Sequence, residues 1–241
     1  MILAAATKVK SGVIRAIRIL AVAALLVAII VPARGGGSPH VDLALVLAVD
    51  CSDSVDRREF RLQIDGLAHA FRSPEVISAV QSGPNGRIAV ALFEWSDFYQ
   101  KALVVEWTIV DGPASAEAVA LRIEQAGRVA FGGTSISTAI TGGIEVLSKV
   151  PWLSDRRVID VSGDGANTVG ERIEIVRDRT LALGIVINGL AINNDNSDLT
   201  AYYRKNVIGG PGSFVIEASG YDTFAVAIRL KLVREIFRPV G

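Results

Sequence analysis

The segment VDLALVLAVDCSDS, residues 41–54, contains seven consecutive apolar residues, Leu43 to Val49, and closes on a polar string, Asp50-Cys51-Ser52-Asp53-Ser54. A strand packed on both faces reads as an unbroken apolar run, because neither side of its pleat meets water. A run this short suits a strand better than a buried helix. It therefore predicts a central strand of an α/β sheet. In open sheets of that class, ligands gather outside the carboxyl ends of the strands. The polar string at this strand's end is thus the first place to look for chemistry.

Outward from this strand, two patterns alternate. Residues 55–71 carry apolar side chains near helical spacing, at Phe60, Leu62, Ile64, Leu67, Ala68 and Phe71. RIAVALF (87–93) and ALVVEW (102–107) are further strands, and the short gap between them suits an antiparallel hairpin. Helices are predicted over 115–125, with Ser115 as N-cap, over 137–150, and over 171–183, closed by Gly184. RVIDV (157–161), 185–192 and 213–217 read as strands. Residues 198–207 read as a short helix and 221–236 as a final one. Strands alternating with helices of this length give an α/β sheet with helices on both faces.

Composition narrows the class. The chain has 241 residues, half of them apolar, so it holds ample material for a core and is no disordered chain. Its single cysteine excludes a disulfide framework and a Cys-based zinc site, and its two histidines exclude a His-rich metal centre. A formal charge of zero argues against a nucleic-acid partner.

The first 33 residues stand apart. Lys8, Lys10, Arg15 and Arg18 precede an apolar run from Ile19 to Val31, then Pro32-Ala33. A basic start, an apolar stretch and a small residue at a cleavage point read as a signal peptide or, left uncleaved, a signal anchor. The run is shorter than the roughly 20 apolar residues a spanning helix needs. Residues 34–40, with Gly-Gly-Gly-Ser-Pro, read as a linker. Without the four cations of the first segment, 21 basic residues face 25 acidic ones, about −4 in all. This predicts export, to the periplasm or the exterior. A membrane would be met only through the first segment.

Three loops are rich in carboxylates, hydroxyls and glycines: Asp50 to Ser54, Gly132-Gly133-Thr134-Ser135, and Ser162-Gly163-Asp164-Gly165. Each flanks a predicted strand end or helix start. In a parallel sheet they converge on one edge, where hard oxygen donors select magnesium or manganese, or calcium less tightly. Each loop also has a plainer reading: Asp50 and Ser52 as caps of the next helix, the glycines as turns. Read the same way, Cys51 is a small packed residue and His69 is structural. Trp95, Trp107, Tyr202 and Tyr203 are core or rim rather than a partner surface, and Arg156-Arg157 is a solvated edge.

Asp50-x-Ser52-x-Ser54, then Gly133-Thr134, then Ser162-Gly163-Asp164-Gly165 resembles the metal-ion-dependent adhesion site of the von Willebrand factor type A domain. The resemblance covers residues 41–237. RRVIDVSGDG, INGLAI and YYRKNVIGGPGSF are similar to an uncharacterised group of bacterial secreted proteins with that domain. The resemblance implies a three-layer Rossmann-like fold, with a mostly parallel central sheet and one antiparallel edge strand. It implies Mg2+, or Mn2+ or Ca2+, held by Ser52, Ser54 and Thr134, with Asp50 and Asp164 acting mainly through water. An Asp or Glu carboxylate of a partner protein would complete the shell. Asp53 departs from the pattern, where glycine is common.

An enzyme reading stands beside it. Ser162-Gly163-Asp164-Gly165-Ala166-Asn167 resembles the magnesium motif of haloacid-dehalogenase-type phosphatases, which would make Asp50 a nucleophile. That family needs an aspartate as general acid two residues on, and Ser52 has no proton-transfer pKa near neutrality. The same family's closing acid is replaced by Thr168. Serine-hydrolase and P-loop motifs are absent from the sequence. A non-enzymatic binding module is the expectation.

Overall fold

The structure, a computed structural model, describes residues 39–97, 101–194 and 198–237. The expected signal or anchor segment and most of the linker lie outside the described residues. The elements run β1 (Leu43–Asp50), α1 (Arg57–Arg72), α2 (Pro74–Gln81), β2 (Ile88–Trp95), β3 (Lys101–Val110), α3 (Pro113–Glu124) and α4 (Ile136–Leu147). They continue with β4 (Arg157–Gly163), α5 (Ile173–Ala182), β5 (Val186–Ile192), α6 (Leu199–Tyr202), β6 (Val215–Ala218) and α7 (Phe224–Ile236).

One sheet carries all six strands, in the order β3-β2-β1-β4-β5-β6. Every neighbouring pair is parallel except β2 and β3, the expected hairpin. From β1 the chain first builds outward to β2 and β3, then crosses back to lay β4 on the other side of β1. Strand order therefore reverses between β1 and β4, which opens a crevice at their carboxyl ends.

The apolar run of β1 is divided between two cores. Leu43, Leu45, Leu47 and Val49 pack with residues of α1, α2, α3 and α7. Ala44, Val46 and Ala48 pack with α4, α5 and α6 on the opposite face. Burying each large aliphatic side chain contributes about 1.5–3 kcal/mol, so a slip of one residue, which exchanges the two faces, is strongly disfavoured. Close helix packing relies on glycine at two places. A Cβ on Gly143 of α4 would lie 2.7 Å from Ile159 Cδ1, and one on Gly66 of α1 would lie 2.9 Å from Phe224 Cδ1.

Helix starts explain where the expected boundaries move. Asp56, not Asp50 or Ser52, caps α1: its carboxylate accepts from Glu59 N (2.8 Å), and Glu59 Oε2 accepts from Asp56 N (2.8 Å). α3 begins at Pro113, so Ser115 is not its N-cap. Its hydroxyl reaches back instead to accept from Gly112 N (3.1 Å) and Asp111 N (2.9 Å). α2, which apolar spacing did not single out, starts from Ser73 as cap and Pro74 at its first position. The helix expected over 198–207 is a short α turn followed by a π turn, Tyr203–Val207. β3 reaches Val110, three residues beyond its expected end.

Candidate metal centre

The three loops meet at the crevice between β1 and β4. Asp50 is the last residue of β1, and its Oδ1 accepts from Ser52 N (2.8 Å). Ser52 Oγ and Ser54 Oγ lie 3.1 Å apart, and Ser54 Oγ donates to Asp164 Oδ1 (2.7 Å) across 110 residues of sequence. Asp164 directly follows β4, and its Oδ2 accepts from Tyr221 OH (3.0 Å). Thr134 lies against the loop that carries Asp164. Its carbonyl accepts from Thr168 N (2.9 Å) and Thr168 Oγ1 (3.1 Å), and a Cβ on Gly165 would sit 3.4 Å from Thr134 Oγ1. All five predicted site residues thus come together in the three loops and the end of β1.

Asp53, the departure from the motif, serves the scaffold. Its amide donates to Gly132 O (2.8 Å), and its Oδ1 accepts from Gly132 N (3.0 Å). This pair of bonds ties the first loop to the second. Gly132 holds a φ of +116°, a conformation that a side chain makes costly.

Asp50 is fully buried, and its Oδ2 has no hydrogen-bond partner among the described residues. Burial, and next the Asp164 charge, push its carboxyl up to about 7, against hydrogen bonds that favour the ionised form. Among the described residues no lysine, arginine or histidine forms an ion pair with Asp50 or Asp164. Tyr203 OH and Trp95 Nε1, beneath the loop, are likewise buried without partners. A Cβ on Gly163 would meet Asp50 Oδ2 and Tyr203 OH at 2.8 Å each, so the side chains already fill that space. Burial raises both Tyr203 and Tyr221 well above the ordinary phenol range, so both stay protonated.

This donor set fits a divalent cation. An orphaned buried carboxylate oxygen costs several kcal/mol, of order 1–3 or more for a charged group, unless something compensates it. Here carboxylates and hydroxyls converge, and among the described residues neither carboxylate has an ion-pairing cation of the chain's own. Among the described residues no group of three or more His, Cys, Asp or Glu side chains is placed to hold a metal ion, so the donors here are two carboxylates and three hydroxyls. The oxygen set suits a hard ion.

The sequence reading missed the supports of the site. Tyr221 sits in a turn 57 residues beyond Asp164, and only its fold position reveals its role. Trp95 and Tyr203 are fully buried, which removes them from any partner surface. His69 is exposed, with Nδ1 2.8 Å from Asp65 O. Arg156 donates to Glu235 O (3.0 Å) and Ile236 O (3.1 Å) at the end of α7, rather than lying on a solvated edge.

Residues 40–240 match the model of a family described as a protein of unknown function, DUF1194. The chain belongs to this family. No curated protein matches it. Among solved structures it is similar to proximal thread matrix protein 1 from the mussel byssus, with TM-score 0.58 and 15% identity, over 83% of this chain and 47% of that one. A second structure of that protein, with a zinc-occupied MIDAS motif, matches with TM-score 0.56 and 16% identity, over 81% and 46%. A von Willebrand factor type A structure from Catenulispora acidiphila matches with TM-score 0.56 and 14% identity, over 81% and 43%. The chain spans under half the length of each. At these identities the likeness shows the fold: a von Willebrand factor type A domain, as the sequence motifs implied.

Proposed function

We propose that this domain is a non-enzymatic, cation-dependent protein-binding module. Asp50, Ser52, Ser54, Thr134 and Asp164 hold a divalent cation, with magnesium or manganese favoured by the oxygen donors. The observation that carries this reading is Asp50 Oδ2, a fully buried carboxylate oxygen with no hydrogen-bond partner and no ion pair among the described residues. A cation bound there supplies an anion-attracting charge at the crevice mouth. The chain's own residues orient it: Ser52 N fixes Asp50, Ser54 bonds to Asp164, and Tyr221 fixes Asp164 from the opposite side. The partner is a protein offering an Asp or Glu carboxylate. The zinc-occupied site of the byssus protein supports a divalent ion in this fold. Export follows from the N-terminal segment, read as a signal peptide or anchor. Among the described residues no helix is long and apolar enough to cross a membrane.

The test is magnesium and manganese binding by calorimetry on the full chain, for wild type and Thr134→Ala. Binding in the wild type that weakens about tenfold or more in the variant is expected. Equal binding by both removes Thr134 from the site. Hydrolysis of a generic phosphate ester that Asp50→Asn abolishes would favour the phosphatase reading instead.

A further inference from the structure

Beneath the candidate ligands lies a second set of contacts. Residues 51–55 belong to no helix or strand, so their carbonyls have no ladder to join. Arg128 serves them. Its Nη1 donates to Val55 O (2.6 Å), and its Nη2 donates to Cys51 O (3.0 Å) and Ser52 O (2.9 Å). The guanidinium also lies over the Phe131 ring, 4.7 Å from its centroid.

Arg128 is in turn held from β2. Glu94, fully buried near the end of that strand, accepts from Val129 N (2.8 Å) and Ala130 N (3.2 Å). Ser96 Oγ donates to Phe131 O (2.6 Å), and Ser135 N donates to Ser96 O (3.1 Å). The segment 128–135 is thus laced to the end of β2. One guanidinium ties the loop of Ser52 and Ser54 to the segment that leads into Thr134.

We propose that Arg128 is a positioning residue of the metal centre, acting through the fork of its guanidinium rather than through its charge. This rests on the cation reading above. The two modes of action predict opposite signs. A positive charge near a cation site repels the cation, so through charge alone the loss of Arg128 tightens metal binding. A loop held by three hydrogen bonds predicts weaker binding on its loss. Lysine separates the two, because it keeps the charge but replaces a planar fork of five donors by a point.

The experiment compares full-length wild type, Arg128→Lys and Arg128→Ala by two readouts. The first is the magnesium dissociation constant by calorimetry. The second is the rate at which Cys51, the single cysteine and itself buried within the clamped loop, reacts with a thiol reagent in the absence of metal. Both variants are expected to bind magnesium at least about tenfold more weakly. Cys51 is expected to react at least about tenfold faster, through local opening, while the global unfolding transition stays cooperative. Magnesium affinity in Arg128→Lys equal to or tighter than wild type overturns the proposal. A Cys51 rate in Arg128→Lys equal to that of wild type also overturns it. If Arg128→Ala does not fold, the lysine variant decides alone. If wild type takes up no magnesium, the cation reading fails, and the Cys51 rates still decide whether Arg128 holds the loop.

Discussion

Two buried carboxylates on neighbouring strands meet opposite fates. Asp160 of β4 stands beside Leu47 of β1, three residues, roughly 10 Å, below Asp50. The chain gives Asp160 a cation of its own: Lys231 of α7 lies 2.7 Å from its Oδ2 and 2.8 Å from Glu235 Oε2, all buried. The first is an ion-pair contact rather than an aligned hydrogen bond, and Asp160 Oδ1 has no hydrogen-bond partner among the described residues. Asn188 completes the cluster, donating to Glu235 Oε1 (2.6 Å) and accepting from Phe214 N (2.8 Å). Asp50 receives no such cation. The interior site is closed under a helix and balanced from within. The site at the strand ends is left negative, with Ser54 exposed and Asp164 half-buried at its mouth. Among the described residues the chain places an ammonium beside one carboxylate and none beside the other, and the cation proposed above would balance the second.

The largest expected effect that sharpens this contrast comes from Lys231→Met. Burial pulls the Lys231 ammonium down, but Asp160 and Glu235 outweigh it and hold its pKa above the ordinary value. Removing it strands two buried carboxylates, and urea unfolding should show a loss of about 3–5 kcal/mol. Asp160→Asn should cost much less, because Glu235 still balances Lys231. A cost as large as that of Lys231→Met would break the picture of one ammonium shared by two acids.

pH gives the next effect. Burial pushes Asp50 up to about 7 and raises Asp160 as well, although Lys231 opposes the rise at Asp160. A folded-state pKa above the unfolded value of 3.8 means that the folded state holds the proton more tightly. The contribution of these two groups to stability without metal is therefore fully present below about pH 4 and is lost as pH rises toward 7, at up to about 1.4 kcal/mol per pH unit for each group. Asp50→Asn should remove one part of that slope and Asp160→Asn the other. Millimolar magnesium should flatten only the part belonging to Asp50. Unfolding curves from pH 4.5 to 8, with chelator and with magnesium, check this. A slope that magnesium leaves unchanged would count against a cation beside Asp50.

The smallest effect concerns the phenol at the mouth. Tyr221→Phe removes one hydrogen bond to Asp164 Oδ2. Magnesium affinity should fall by about 1 kcal/mol, or roughly fivefold, with little change in stability. Calorimetry on the variant measures it, and an unchanged affinity would mean that Ser54 alone fixes Asp164.

Much of the fold was legible in the chain. The doubly covered β1, the β2–β3 hairpin and the helices on both faces follow from apolar runs, because burial imposes local periodicity. The convergence of Asp50, Ser52, Ser54, Thr134 and Asp164 was also legible, since the motif places oxygen donors just past two strand ends and before one helix start. Other features were not. Asp56 rather than Asp50 caps α1 because Glu59 completes its capping box, a choice among several nearby acids that local sequence leaves open. α2 has only eight residues and a narrow apolar face.

By itself, then, the sequence determined most of the strands and helices, and that a hydroxyl-rich carboxylate string follows the central one. Only the tertiary structure decided which charges meet. Lys231 pairs with Asp160, Arg128 with the carbonyls of residues 51–55, and Tyr221 with Asp164, across 71, 73 to 77 and 57 residues. Local periodicity encodes whether a residue is buried. Strand order, register and helix phase set which residues share a burial site, and those are fixed by the packing of the whole chain.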